Sequence, residues 1–241
     1  MIRRADIALV ERGLFASRAK AREAIEAGLV MLDGRPVAKP SEPVADDARL
    51  DASAPYPWVS RGGVKLAAAL DAFAFNPAGK QALDIGASTG GFSHVLLTRG
   101  AAHVTCVDVG HSQLHPLVAS DARVTSLEKR DARSLEAGDL PAPPVLLVCD
   151  VSFISLEKIL LPILALTAPQ AEAVLLIKPQ FEVGPELVRK GVVRDAEARE
   201  RACQRIAALV ESLGWRIIGL IPSPIEGGDG NIEFLLGARR S

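Results

Sequence analysis

The stretch ALDIGASTGGF, residues 82–92, decides the fold. Ala82, Leu83 and Ile85 have the character of a short buried strand, with Asp84 read as its end. Gly86, Gly90 and Gly91 mark a turn that needs nearly bare backbone, and Phe92 to Leu97 begins an apolar helical pattern. Strand, glycine turn and helix in that order form the ligand-binding corner of a doubly wound sheet. Ala87, Ser88 and Thr89 fill the gap, so the spacing is not Gly-x-Gly-x-x-Gly, and no Gly-Lys-Ser/Thr follows. A pyrophosphate cradle is therefore disfavoured. A nucleoside with an amino-acid tail fits better, and an ordinary strand-to-helix turn is the competing reading.

Downstream of this corner, strands and helices alternate. His103–Val107 reads as a second strand ending at Asp108, where an acid holds the ribose hydroxyls of a bound nucleoside. Val124–Leu127 is a weak third strand, followed by Asp131, which could hold an adenine amino group. Val145–Cys149 is a strongly apolar fourth strand ending at Asp150. The spacing predicts a helix over 155–168, then a fifth strand, Ala173–Ile177, ending at Lys178. A long helix over 197–213 precedes two last strands, 216–221 and 232–236, joined too closely for a crossover helix and so read as an antiparallel pair. Ligands in such sheets collect beyond the carboxyl ends of the strands. Asp84, Asp108, Asp131, Asp150 and Lys178 all fall at that edge in this reading. The pattern of seven strands with a terminal hairpin resembles the sheet of S-adenosylmethionine-dependent methyltransferases.

Residues 1–51 form a separate unit. Ile7, Leu9, Val10 and Leu14 suggest a short helix broken at Gly13. Ser17 is a fitting N-cap for a second helix over 18–27, closed by Gly28, with Ala21, Ala24 and Ile25 as its apolar stripe. Val30–Leu32, Asp33-Gly34 and Arg35–Val37 read as a hairpin with a tight turn. Residues 1–40 hold eight Lys/Arg against five Asp/Glu, in a chain whose formal net charge is −1. Basic surface is thus local, on one helix and the turn beside it, as phosphate contact requires; a merely solvated helix face is the alternative. Ala52–Ser60, rich in proline, reads as a linker whose Tyr56 and Trp58 dock the two units or stack on a base.

The order of residues from Arg3-x-x-Asp6 through Ser17-Arg18 and Gly28 to Gly34 resembles the S4 RNA-binding domain. The remainder carries Arg61-Gly62-Gly63-x-Lys65-Leu66, the 84–92 turn, Asp108-Val109-Gly110, Cys149–Ser155, Lys178-Pro179-Gln180-Phe181-Glu182 and Gly230-Asn231-x-Glu233. Together these resemble the TlyA family, which joins an S4 domain to an FtsJ-like ribose methyltransferase. The resemblance implies an α/β, Rossmann-like seven-stranded sheet with a small N-terminal α+β S4 domain, divided as 1–51, a linker at 52–60, and a methyltransferase domain at 61–241. It implies S-adenosylmethionine as cofactor, held by Asp84, Gly86, Ala87, Ser88, Thr89, Gly90, Gly91, Phe92, Asp108, Val109, Asp131, Ala132 and Asp150. Bulk at Gly90 is then expected to block the cofactor. The family's Lys-Asp-Lys-Glu tetrad maps onto Lys65, Asp150, Lys178 and Glu233. The implied reaction is transfer of a methyl group to a cytidine 2′-hydroxyl of ribosomal RNA, with 23S RNA favoured over 16S because the chain resembles the shorter members. RNA contacts are expected from Arg3, Arg4, Ser17, Arg18, Lys20, Arg22, Arg35 and Arg61.

The tetrad suits that chemistry. A ribose hydroxyl attacks only once its proton is drawn off, and Lys178 can take it when neutral. Lys65 and a dry site favour the neutral amine, whereas Asp150 and Glu233 favour the charged one. Exocyclic-amine methylation fits less well, since Asp150-Val151-Ser152-Phe153 is not the Asn/Asp-Pro-Pro-aromatic it uses. Pyrimidine C5 methylation needs a nucleophilic cysteine, and Cys149 sits in a buried strand.

The totals agree. Three cysteines without metal spacing read as buried thiols, so no metal site is expected. No leader opens the chain, and the longest greasy stretch, 159–168, is interrupted by Pro162 and falls far short of a membrane span, so the expectation is a cytoplasmic protein with no membrane partner. A monomer is favoured, working on ribosomal RNA or a ribosomal subunit. Two alternatives stay open: an S4-type RNA-binding protein whose second half is only a scaffold, and a membrane-active haemolysin, a label this family also carries.

Overall fold

The computed structural model describes residues 2–240 and divides into two compact units, one up to Pro57 and one from Trp58 onward. The first is built on a hairpin. Val30–Leu32 pairs antiparallel with Arg35–Pro36, with Leu32 opposite Arg35. The connecting Asp33 and Gly34 have φ of 50° and 82°, the left-handed values of a type I′ turn that matches strand twist. A third strand, Leu50–Ala52, pairs on the other side of Val30–Leu32. Ile2–Arg4 pairs with Pro43–Ala45. Neither of these pairings is announced by the sequence, because the strands are three residues long and half exposed. Helices Ala5–Glu11 and Arg18–Glu26 supply Leu9, Ala21, Ala24 and Ile25 to a small core with Val30, Val37 and Val44. Ser17 caps the second helix, its Oγ accepting from the Lys20 N–H at 3.4 Å.

The second unit is a seven-stranded sheet. Its strands are β1 (Gln81–Ile85), β2 (His103–Asp108), β3 (Val124–Glu128), β4 (Leu146–Cys149), β5 (Glu172–Ile177), β6 (Trp215–Pro222) and β7 (Phe234–Arg240). The spatial order is β6-β7-β5-β4-β1-β2-β3. The first five strands run parallel, and β7 lies antiparallel between β5 and β6. The order reverses at β1 and β4, the point where such sheets open a crevice.

Side-chain parity divides the core. Leu83, Ile85, Leu147, Cys149, Leu175 and Ile177 face one layer, with Ile163 and Ile206 from helices Leu160–Ala165 and Ala196–Ser212. Ala82, Leu146, Val148, Val174 and Leu176 face the other, with Leu66 and Leu70 from helix Gly62–Ala72 and Val95 and Leu96 from helix Gly91–Thr98. Strands buried on both faces give the continuous apolar runs of a parallel sheet.

Two expectations about strand and helix bounds are corrected, and the linker aromatics are seen in place. The helix expected over 155–168 is a single 3-10 turn, Leu156–Lys158, followed by Leu160–Ala165. Pro162 has no N–H to give, so it is accommodated in the first turn of a fresh helix and not in the interior of a longer one. The linker aromatics pack within separate units. The Tyr56 hydroxyl accepts from Lys20 Nζ at 2.7 Å and donates to Glu23 at 2.5 Å, whereas Trp58 packs edge-on to His94 and closes over Gly63. Finally, β1 does not end at Asp84 but runs through Ile85, which changes where the Asp84 side chain points.

Candidate active site

The glycine turn sits where the sequence puts it. Gly86 has φ of +80°, and its N–H donates to Val107 O at 2.9 Å. A Cβ on Gly86 would stand 2.4 Å from the Asp150 carbonyl oxygen, so only glycine lets the β1 turn lie against the end of β4. Beside it opens a cleft of about 560 Å³, within the usual range for a small-molecule site. Gly86, Ser88, Asp108, Val109, Asp131, Ala132 and Asp150 line it, together with Ile85, Val107, Ile154 and Ile159. The Ser88 and Gly110 N–H groups donate to the two Asp108 carboxylate oxygens at 2.8 and 2.7 Å, which fixes the carboxylate and leaves each oxygen acceptor capacity. Asp131 caps the turn Ala132–Ser134 and is gripped by Arg133 at 2.6 Å. That arginine holds the Asp131 carboxyl below the usual range. Apolar walls with fixed carboxylate acceptors at one end suit a nucleoside, whose hydroxyl and amino groups donate.

A smaller polar cavity of about 190 Å³ adjoins the cleft, and Gly86, Ser88, Asp150 and Ser152 line both. Ala87, Thr89, Gly91 and Phe92 line it too, as do Lys65 and Lys178. Lys178 Nζ lies 2.6 Å from Asp150 Oδ1. That contact is an ion pair without hydrogen-bond alignment, and the aligned bond from Nζ goes to Ser152 Oγ at 2.8 Å. Lys65 and Glu233, 7% and 2% exposed, form a second ion pair. Glu233 is backed by Gly227, where a Cβ would stand 2.0 Å from its Oε1. The tetrad is thus two acid–base pairs of no net charge, one from the ends of β4 and β5 and one from helix Gly62–Ala72 and the approach to β7.

Asp84 and Gly90 do not join the site. Parity directs Asp84 into the layer beneath the turn, where it is fully buried and accepts from Ser93 Oγ at 2.5 Å. Burial pushes its carboxyl up to about 7, against the opposing pull of the Ser93 bond. Gly90, with φ of +85°, faces Leu114 and Val118 at 3.1 Å, so bulk there presses on those side chains and strains the backbone without entering the cleft. Cys149 is wholly buried and its thiol is raised by that burial, which leaves it inert.

Ser152 and Phe153 carry the site beyond what the sequence reading assigned. Phe153 is 91% exposed with φ of +65°, at the cleft mouth, its ring 5.3 Å from that of Phe181. Glu182 ties the segments after β4 and β5 together, accepting from Ser155 Oγ at 2.6 Å and Leu156 N–H at 2.9 Å. A positive φ on a bulky side chain leaves no composition signal, and Ser152 stands in a motif where only the acid draws notice.

In the first unit the arginines are already engaged. Asp6, 0% exposed, accepts from Arg4 at 2.9 Å, Arg18 at 2.9 Å and Arg22 at 3.1 Å. Its cover is the guanidinium groups themselves, and these hold its carboxyl far below the usual range, Arg4 most strongly. Arg3 pairs with Glu11 and Arg35 with Glu42, while Arg61, in the second unit, donates to Glu226 O at 2.5 Å.

The FtsJ-like methyltransferase family model matches residues 58–240, and the S4 domain model matches residues 3–50. The chain belongs to the TlyA family of FtsJ-like methyltransferases. The 16S/23S rRNA (cytidine-2′-O)-methyltransferase TlyA of Mycobacterium tuberculosis is 45% identical over 98% of this chain and 89% of its own length. Hemolysin A of Brachyspira hyodysenteriae is 38% identical over 92% of this chain and 94% of its own. A solved Streptococcus thermophilus protein, provisionally called a hemolysin, superposes with a TM-score of 0.79 at 38% identity, covering 100% of this chain and 89% of that one. The TlyA family thus spans both units of the chain.

Proposed function

We propose that the protein transfers a methyl group from S-adenosylmethionine to the 2′-hydroxyl of a cytidine in ribosomal RNA. The observation that carries the reading is Lys178, held by Asp150 and Ser152 in a small polar cavity that opens into the larger cleft. The likeness to the mycobacterial methyltransferase supports the substrate class.

The cleft residues suit the cofactor: Asp108 for the ribose hydroxyls, Asp131 with Ala132 and Val109 for the base, and the Gly86 turn for the amino-acid end. When bound, the cofactor supplies an electrophilic methyl on a sulfonium. The protein's own contribution is positioning and proton handling. Lys178, when neutral, accepts the 2′-hydroxyl proton on Nζ, and Asp150 then stabilises the ammonium that forms. Lys65, tied to Glu233 and lining the same cavity as Lys178, supplies a second cation for the substrate oxygen. Phe153 offers an exposed ring face for a base, the sequence-tolerant contact that single-stranded RNA accepts. The Asp6-centred arginines of the S4 unit, with Arg3, Lys20 and Arg35, supply phosphate contacts, and Arg61 adds one from the second unit. Among the described residues no helix is long and apolar enough to cross a membrane.

Lys178→Ala tests the assignment. It should lower kcat by about 10²–10⁴-fold, the range for losing a general base, with cofactor affinity, read by calorimetry, nearly unchanged. Wild-type turnover in the variant contradicts the role of Lys178.

A further inference from the structure

Between Lys178 and the long helix, a short helix Pro179–Glu182 is followed by a clamped β-hairpin. Val188–Arg189 pairs antiparallel with Val192–Val193. Lys190 and Gly191 make its two-residue turn with φ of 51° and 80°, the left-handed pair that fits a hairpin. Asn231, 2% exposed, holds the hairpin from behind. Its Nδ2 donates to Gly191 O at 2.7 Å and its Oδ1 accepts from Val193 N–H at 3.2 Å. Arg199 adds bonds to the carbonyls of Val193 and Arg194 at 2.9 and 3.0 Å. Asn231 lies two residues before Glu233, and Phe234 pairs with Ile177, the residue before Lys178. The hairpin is therefore fastened to the same sheet edge as the tetrad.

What this hairpin presents is free positive charge. Arg189, Lys190 and Arg194 are exposed, and no hydrogen bond or ion pair occupies their side chains among the described residues. The S4 arginines, by contrast, are bound to Asp6, Glu11 and Glu42. Acids do stand nearby. Asp229 Oδ2 lies 3.3 Å from where a Cβ on Gly191 would sit, and the Glu186 carboxylate folds over Gly184. Asp195 is engaged in capping the long helix through Ala198 N–H at 3.1 Å. None of them pairs with the three cations. Three exposed, unpaired cations within six residues, on a preformed hairpin, present a cluster of positive charge that backbone phosphates can engage.

We infer that the Val188–Arg194 hairpin is an RNA-phosphate grip built into the methyltransferase unit, with Asn231 as its positioning residue. It rests on the RNA-methylation reading and adds to it a contact site separate from the S4 unit. Its phosphate contacts are sequence-independent and fix the strand beside the tetrad. Preorganisation by Asn231 means that little loop ordering is needed on binding.

The experiment measures equilibrium binding of the full-length protein to deproteinised ribosomal RNA, and to ribosomal subunits, across a salt series. The variants are Arg189→Ala/Lys190→Ala/Arg194→Ala and Asn231→Ala, with Arg216→Ala as control. Arg216 is exposed and lies at the far end of β6, opposite Arg239 and away from the tetrad edge. The triple variant should bind about tenfold more weakly at low salt, and its slope of log K against log salt should flatten by about two, given roughly 0.7–0.9 per phosphate contact. Asn231→Ala should weaken RNA binding without flattening the slope by as much. The control should match wild type, and cofactor affinity should hold in all. An unchanged slope and affinity in the triple variant overturns the grip. Wild-type protein that binds neither form of the RNA overturns the RNA reading itself, a separately visible outcome.

Discussion

If Lys178 is the general base proposed above, Ser152 is the hydroxyl that sets its geometry. The Lys178 ammonium is drawn to Asp150 by charge, but its aligned bond is to Ser152 Oγ. A hydroxyl can accept from the amine in either protonation state, so it keeps Nζ aimed while the proton comes and goes. Ser152→Ala should lower kcat roughly tenfold, the equivalent of about 1.4 kcal/mol, with little change in KM for RNA; steady-state kinetics at saturating cofactor will check it. A rise in KM alone would mean that Ser152 serves binding and not alignment. Asp84 makes a different point. Its carboxyl is raised to about 7 by burial, from an unfolded value of 3.8. Between those values the folded state binds the extra proton, so stability from this residue is full below pH 4 and is lost as pH rises through about 7. Asp84→Asn should remove that loss. Denaturant melts of variant and wild type should diverge, the variant gaining by a few kcal/mol, as pH rises from 4 to 7.5. Parallel melts at all pH values would show that Asp84 stays charged in the fold.

At the scale of elements, the β1 turn depends on one close approach of backbone to backbone, and the S4 helices share one buried carboxylate. The turn depends on Gly86, whose Cβ would collide with the Asp150 backbone at 2.4 Å. Backbone cannot yield as a side-chain end can. Gly86→Ala should therefore cost cofactor binding and on the order of 1–3 kcal/mol of stability, read by calorimetry and thermal melting; normal cofactor affinity would show that the β4 end relaxes freely. In the S4 unit, Asp6 gathers three arginines into one fan. Asp6→Asn keeps the shape and removes the charge that orders them. RNA affinity should fall while cofactor affinity is untouched. Affinity that rises instead, through freed arginines, would show that the fan restrains binding.

Across the whole molecule, the alternation of strand and helix was plain from the sequence because parallel strands buried on both faces write long apolar runs. Asp108, Asp150 and Lys178 were legible for the same reason, each a polar residue just where an apolar run stops. Asp84 misled because one polar residue inside a buried strand looks like a strand end. Only the pairing of Asp84 with Cys106 and Val148 shows the strand continuing. The clamped hairpin was not legible, since its hold comes from Asn231, some forty residues away in the chain, and its strands are two residues each. The free charges of that hairpin and the bound charges of the S4 unit look alike in composition, and only the pairing pattern separates them.

The central claim is ribose methylation of ribosomal RNA by this chain. Purified protein, S-adenosylmethionine and ribosomal RNA or subunits lacking the modification should be incubated together, and the RNA digested to nucleosides for mass spectrometry. The account predicts new 2′-O-methylcytidine, mapping to a single site and absent with Lys178→Ala. Methyl groups found on a base, or no methylated nucleoside at all from protein that binds both cofactor and RNA, would contradict it.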